Sequence, residues 1–259
     1  MKPLFTIATV TYNAEATLER TLKSVASQDY ERIEHLIIDG CSRDHTLSLV
    51  QRYVEKNQAR HNIRLICEPD NGLYDAMNKA LLAATGDYIV FLNAGDCLHN
   101  NDTISALSEQ AGWMKGEHRH PAILYGDTHI VDDDGNFLRR RRLTPPEKLT
   151  GDSFLNGMLV CHQSFYVRTD IAKQELYNLH YHYSADFDWC IRVIHHAYRR
   201  RFRIVNTHLV LTDYLSEGLT THNHRASLKE RFRIMVHYYG WWPTVTRHFW
   251  FIIRAIIKR

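Results

Sequence analysis

Asn93 and Asp96 flank Ala94 and Gly95 directly after the apolar run Tyr88 to Leu92. That run is short, continuous and rich in β-branched and aromatic residues, as a parallel strand covered on both faces is. In open α/β sheets ligands collect outside the carboxyl ends of the strands, where this Gly-flexed turn would lie. Hard oxygen ligands at such a place suit Mg2+ or Mn2+ carrying a diphosphate. Taken alone, Asn-Ala-Gly-Asp reads equally well as a polar turn after a strand.

Three other loops are expected on the same rim: Thr11-Tyr12-Asn13, Asp39-Gly40-Cys41-Ser42-Arg43-Asp44 and Glu68-Pro69-Asp70-Asn71-Gly72. A hydroxyl and an aromatic ring suit a base and ribose, and Asp39 suits an imide N–H or a ribose hydroxyl. No loop carries GxGxxG or GxxxxGK[ST], so neither a dinucleotide site nor a P-loop is expected. The rim is acidic instead, and phosphates held there need a bridging cation.

The elements that must position these loops follow from hydrophobic period. Apolar runs at Leu4 to Val10, Ile33 to Ile38, Ile63 to Cys67 and Tyr88 to Leu92 alternate with segments of helical period, the βαβαβαβ pattern of a parallel sheet. Leu18, Leu22 and Val25 make one helical stripe with Asn13 as a candidate cap; Leu47, Val50 and Val54 make the next after Asp44 and Thr46. A third helix runs from near Gly72 to a C-cap at Gly86. Beyond Asp96 the alternation weakens to a helix from about Asp102, a strand at Ala122 to Tyr125, a hairpin turning at Asp134-Gly135, and a helix from about Asp186 to Tyr198.

A chain of 259 residues is long enough for a substantial core without staples, and its five cysteines are odd in number and free of CxxC spacing. Neither a zinc site nor a disulfide framework is indicated, and a reducing cytosol fits. The N-terminal apolar run is too short and polar for a signal peptide or a span. The net charge of +3 is mild, but from Arg225 onward Glu230 is the only acid among eight Lys and Arg, interleaved with Trp241, Trp242, Phe249, Trp250 and Phe251. That mixture predicts an amphipathic helical tail docking on a membrane surface, and not nucleic acid. A helix packed on the core with solvated cations is the plainer alternative.

Read together, four motifs resemble those of the inverting glycosyltransferases of family 2. They are Val10-Thr11-Tyr12-Asn13-Ala14, Asp39-Gly40-Cys41-Ser42-Arg43-Asp44-His45-Thr46, Asp70-Asn71-Gly72-Leu73-Tyr74-Asp75-Ala76-Met77-Asn78-Lys79, and Gly86-Asp87-Tyr88 leading to Asn93-Ala94-Gly95-Asp96. The resemblance implies a GT-A fold, a Rossmann-like, mostly parallel α/β sheet with helices on both faces. It divides the chain into a nucleotide-sugar half (1–98), an acceptor-side half of the same domain (99–222) and the C-terminal tail (223–259). It further implies donor contacts from Thr11, Tyr12, Asn13, Asp39, Asn78, Lys79 and Asn93, with Asp96 as the ligand of Mn2+ or Mg2+. Asn93 and Gly95 replace the first carboxylates of the usual metal motif, and Met77 and Ala80 depart from the frequent ARNxG motif.

Downstream, Tyr183-Ser184-Ala185-Asp186-Phe187-Asp188-Trp189 resembles the acceptor-side motif of the family, with Ala185 in place of Glu. By that likeness Asp186 is the catalytic base and Asp188 an assisting acid, while an N-cap role for Asp186 is the structural alternative. His162 and Gln163 resemble acceptor-side contacts, Gly218 to Thr221 a reduced diphosphate loop, and Asp127 a further polar contact. The Arg139 to Arg142 run could clamp a lipid diphosphate acceptor, with a solvated hairpin edge protected by charge as the plainer account. The expected activity is transfer of one sugar from a UDP- or GDP-linked donor to a saccharide or lipid-linked acceptor in bacterial surface polysaccharide synthesis, at the cytoplasmic face of the inner membrane. Two other readings are a non-catalytic nucleotide-binding scaffold and a sugar nucleotidyltransferase, although the second should carry a Gly-rich, Arg-containing loop where Thr11-Tyr12-Asn13-Ala14 stands.

Overall fold

A computed structural model describes residues 2–112, 120–216 and 224–257. The first half runs β1 (Phe5–Thr11), α1 (Leu18–Ala26), β2 (Ile33–Asp39), α2 (Thr46–Asn57), β3 (Asn62–Cys67), α3 (Leu73–Ala83) and β4 (Tyr88–Phe91). As the pattern predicts, β1 pairs in parallel with β2 and β4, and β2 with β3. β1, β2 and β4 are buried at every position. Alternate side chains of β1 enter opposite layers, Ala8 and Val10 on one face, Phe5 and Ile7 on the other.

The second half runs β5 (Cys97–Leu98), α4 (Thr103–Gln110), β6 (Ile123–Val131), β7 (Phe137–Arg140), β8 (Phe165–Arg168), α5 (Thr169–Ala172), α6 (Ala185–Arg199) and β9 (Ile204–Leu215). Its strands extend the same sheet in the order β3-β2-β1-β4-β8-β6-β9-β5, with β7 paired to β6. β8 is antiparallel to both β4 and β6, which makes the sheet mixed here. One sheet therefore passes through both halves without a break at residue 98. The β6–β7 hairpin turns at Gly135, where φ is +87° and glycine avoids the left-handed strain.

Two expected caps are corrected. The residue before α1 is Thr17; Asn13 instead adopts φ +48°, takes Ser42 Oγ on its backbone N–H and accepts from Arg43 N, so it joins two rim loops. α3 ends at Ala83, and Gly86 faces β1, where a Cβ would lie 2.6 Å from Thr6 Oγ1 and 2.8 Å from the Leu4 carbonyl oxygen.

The chain closes with α7 (His224–Tyr239) and α8 (Trp241–Ile257). α7 is built into the fold. Ile234 and Met235 are buried in the main core, and Glu230 accepts from the backbone N–H groups of His182 and Tyr183. Among the described residues no helix is long and apolar enough to cross a membrane.

Candidate active site

The carboxyl ends of β1 and β4, the first turns of α3, the 162–164 turn, the start of α6 and Arg231 of α7 line a cavity of about 660 Å³. Asn93 and Asp96 lie on its wall. Helix α1 sets their turn: the buried Thr21 hydroxyl accepts Gly95 N–H at 2.9 Å and donates to the Asp96 carbonyl at 2.8 Å. Gly95 has φ +102°, a left-handed conformation that calls for glycine, and a Cβ there would also press on the Leu215 side chain at 2.8 Å.

The Asp96 carboxylate is buried. Oδ1 accepts Leu215 N–H at 2.9 Å and Oδ2 accepts the Gln163 amide at 3.0 Å. Burial pushes its pKa up to about 7, with the Leu215 and Gln163 bonds and the Arg20 charge only partly opposing. Asn93 Oδ1 is buried without a hydrogen-bond partner among the described residues. A partnerless amide oxygen and a buried carboxylate are hard oxygen donors of the kind a divalent cation takes, so the residues present fit Mg2+ or Mn2+.

Thr11, Tyr12 and Asn13 line the cavity as expected. Asp39 lies behind them. It accepts Thr11 Oγ1 at 2.8 Å, Ser42 N–H at 2.7 Å and Ser42 Oγ at 2.6 Å, and so fixes the rim from below. Cys67 Sγ also donates to its Oδ1 at 3.7 Å, and the side chain is fully buried, so Asp39 shapes the rim through Thr11 and Ser42.

Asp186 lines the same cavity from the first turn of α6. The N-cap is Ser184, so the Asp186 carboxylate is not spent on capping. Its partner is the Tyr74 hydroxyl, donating to Oδ1 at 3.2 Å. Beneath lies an aromatic floor: Tyr74 stacks on Tyr177 at 5.6 Å, and Tyr177 on Trp189 at 4.9 Å. His162 completes it, stacked on Phe91, with Nε2 2.6 Å from the Tyr177 hydroxyl. Burial lowers the His162 pKa to about 4, so the imidazole is neutral near pH 7.

Besides Asp39, three expected site residues lie outside the cavity lining. Asp188 is outside the cavity lining; Arg192 Nε and the Tyr238 hydroxyl each donate to it at 2.8 Å, which ties α6 to α7. The Asn78 amide clamps the backbone of Tyr177, donating to its carbonyl at 3.0 Å and accepting its N–H at 2.7 Å. Lys79 turns outward to Glu68 at 3.1 Å and to the Pro69 carbonyl. Asp127 sits at an irregularity in β6 outside the lining, and Gly218 to Thr221 fall outside the described residues.

Two arginines also line the cavity. Arg231 of α7 lines it, and its Nε is buried with no hydrogen-bond partner among the described residues. Arg141 leaves the exposed hairpin run to line the same space, donating from Nη1 to the Leu143 and Leu159 carbonyls.

Comparison with known proteins gives the family and the fold. The Glycosyl transferase family 2 model matches residues 6–174. A "PGL/p-HBAD biosynthesis glycosyltransferase" of Mycobacterium bovis is 32% identical over 191 residues, 73% of this chain and 69% of that protein. The "Putative teichuronic acid biosynthesis glycosyltransferase TuaG" of Bacillus subtilis is 31% identical over 159 residues, 61% of this chain and 60% of its own length. Among solved structures, S. aureus TarS 1-349 in complex with UDP-GlcNAc superimposes with a TM-score of 0.65 at 17% identity, covering 90% of this chain and 66% of that one. The mannosyltransferase PcManGT from Pyrobaculum calidifontis, in complex with GDP-Man and Mn2+, gives 0.62 at 16% identity, covering 99% and 76%. A nucleotidyltransferase reading finds no support in these matches. With its four motifs on one rim and its first strands in this order, the chain belongs to glycosyl transferase family 2 and has the GT-A fold.

Proposed function

We propose that this glycosyltransferase moves a sugar from a nucleoside diphosphate donor to a saccharide or lipid-linked acceptor by a single inverting displacement, as a step in building a surface polysaccharide. The observation that carries the reading is one cavity with a cation-seeking oxygen pair, Asn93 and Asp96, on one wall and a carboxylate, Asp186, on another. The named activities of the mycobacterial and Bacillus relatives support the surface-glycan setting, and the UDP-GlcNAc and GDP-Man complexes of the structural neighbours support a nucleotide-sugar donor.

In this reading the base and ribose rest on Thr11, Tyr12 and Asn13 over Asp39. The acceptor hydroxyl gives its proton to Asp186 as its oxygen bonds to the anomeric carbon, and the bond from that carbon to the diphosphate breaks on the far side. Tyr74 holds the Asp186 oxygen in place. Bound at Asn93 and Asp96, Mg2+ or Mn2+ would neutralise charge on the diphosphate. An α-linked donor then yields a β-linked product. Anomeric proton NMR of the product reads this directly, and a retained configuration or a covalent glycosyl adduct would overturn it.

Arg231 is assigned to the diphosphate, because a buried guanidinium Nε without a partner is costly until an anion takes it. Arg231→Met is expected to weaken nucleoside diphosphate binding about tenfold to a hundredfold, from the usual range for charge-assisted bonds. Affinity for the bare nucleoside should not change. Equal weakening of both, read by calorimetry, would remove Arg231 from this role.

The tail supports attachment to the membrane surface, the side from which a lipid-linked acceptor would come. Trp241, Trp242, Phe249 and Trp250 are exposed on α8. Arg225, Lys229, Arg233 and Arg247 accompany them, suiting an anionic cytoplasmic leaflet. Trp242→Ser with Trp250→Ser should abolish co-sedimentation with anionic liposomes and leave transfer to a soluble acceptor intact. Undiminished sedimentation of the double variant would refute the attachment.

A further inference from the structure

On the face of the β5–β9–β6 region, three side chains from separate parts of the chain meet. Asp213 of β9 is in register with Cys97 of β5 on one side and His129 of β6 on the other. His99 follows β5 directly and places Nδ1 2.8 Å from Asp213 Oδ1. His129 Nδ1 lies 4.0 Å from the same oxygen. One ligand atom from each residue falls within 4.8 Å of the other two. The imidazole rings meet edge to face at 4.9 Å, and Phe137 of β7 packs on His129 at 4.7 Å and covers it.

A His–Asp hydrogen bond accounts for His99 but not for His129, whose Nδ1 stands beyond hydrogen-bond reach of the carboxylate. A metal ion accounts for both. Bonds of about 2.0–2.2 Å to a tetrahedral ion separate ligand atoms by roughly 3.2–3.6 Å, between the short and long spacings found here. Two imidazole nitrogens and one carboxylate oxygen select a borderline dication over Mg2+ or Mn2+, which take oxygen donors. Three protein ligands leave a fourth position for water.

We infer that His99, His129 and Asp213 form a binding site for a borderline transition dication of the Zn2+ class, separate from the Asn93–Asp96 turn. The ion would pin β5 to β9 and β6. β5 begins at the residue after Asp96, and β9 ends at Leu215, whose N–H holds Asp96 Oδ1, so the ion braces the wall of the catalytic cavity from behind. The site is set by strand register and is independent of the transfer reaction proposed above.

The test uses the full chain stripped with a chelator, titrated with Zn2+ against a chromophoric competitor and with Co2+ followed by visible absorption. The Asp96→Asn variant serves as a background in which the turn is disabled. One equivalent of Zn2+, the intense visible bands of four-coordinate Co2+ and a Zn2+-dependent rise in Tm are expected in both the wild type and Asp96→Asn. His129→Asn and Asp213→Asn should each lower Zn2+ affinity a hundredfold or more. His129→Asn changes a partly exposed side chain, so its circular dichroism should match the wild type. No stoichiometric Zn2+ in the Asp96→Asn background, or undiminished affinity in folded His129→Asn, would overturn the site.

Discussion

Replacing Asp186 with asparagine lowers kcat by about a thousandfold, the middle of the range for losing a general base, and leaves nucleotide affinity within about threefold. The separation follows from position. Asp186 faces the cavity from the first turn of α6, and its hydrogen-bond partner is the neutral Tyr74 phenol rather than a cation. The amide fills the same space and still accepts from Tyr74, but it cannot take a proton. Asp188→Asn makes the opposite prediction. That carboxylate holds Arg192 and Tyr238, so its loss lowers Tm and changes kcat only a few-fold. Steady-state kinetics with nucleotide titration on both variants read the contrast. Comparable kcat losses from folded Asp186→Asn and Asp188→Asn would return the base to an open question.

Asp96→Asn is expected to abolish cation-dependent nucleotide binding and, at the same time, to stabilise the metal-free protein. Burial raises the Asp96 pKa in the fold from 3.8 to about 7. The folded state thus holds a proton that the unfolded state has released, and stability falls as pH rises between those values. Below pH 4 both states are protonated and the carboxylate costs nothing. Above pH 7 the full linkage cost applies, up to roughly 4 kcal/mol for about three units. The Tm of Asp96→Asn should therefore exceed that of the chelated wild type at pH 8 and converge with it at pH 4. Mn2+ should raise the wild-type Tm at pH 8 through the Asn93–Asp96 turn, an increment lost in Asp96→Asn when measured with Zn2+-class ions excluded. Because a proton competes with the cation at Asp96, the affinity for Mn2+ should fall about tenfold per pH unit below 7. A variant less stable than the chelated wild type at pH 8 would contradict the electrostatic account of this turn.

The first half of the fold was legible because parallel core strands are continuous apolar runs and their helices carry a clean stripe. Loop order then placed Thr11, Asn93 and Asp96 on one rim without knowledge of any contact. Side-chain direction was not legible to the same degree. Within α3, Tyr74 reaches Asp186 and Asn78 reaches Tyr177, while Lys79, one residue on, turns to Glu68; neighbouring elements decide which face is inward. Asp188 follows the same logic, two residues from Asp186 and on another face of α6. Nothing local distinguishes Arg231 from the other tail cations; only the packing of α7 on α6 brings it to the cavity. The meeting of His99, His129 and Asp213 depends on strand register across three segments, which composition and spacing do not encode.

The central claim is that the Asn93–Asp96 turn and the Thr11–Asn13 rim bind a nucleoside diphosphate with a divalent cation. Calorimetric titration of UDP and of GDP into the purified protein, with and without Mn2+, tests it most directly. One of the two nucleotides should bind at least tenfold more tightly with Mn2+ present, and Asp96→Ala should lose that gain. Binding of neither nucleotide, with or without the cation, would contradict the account and favour a scaffold that has kept the fold and given up the donor.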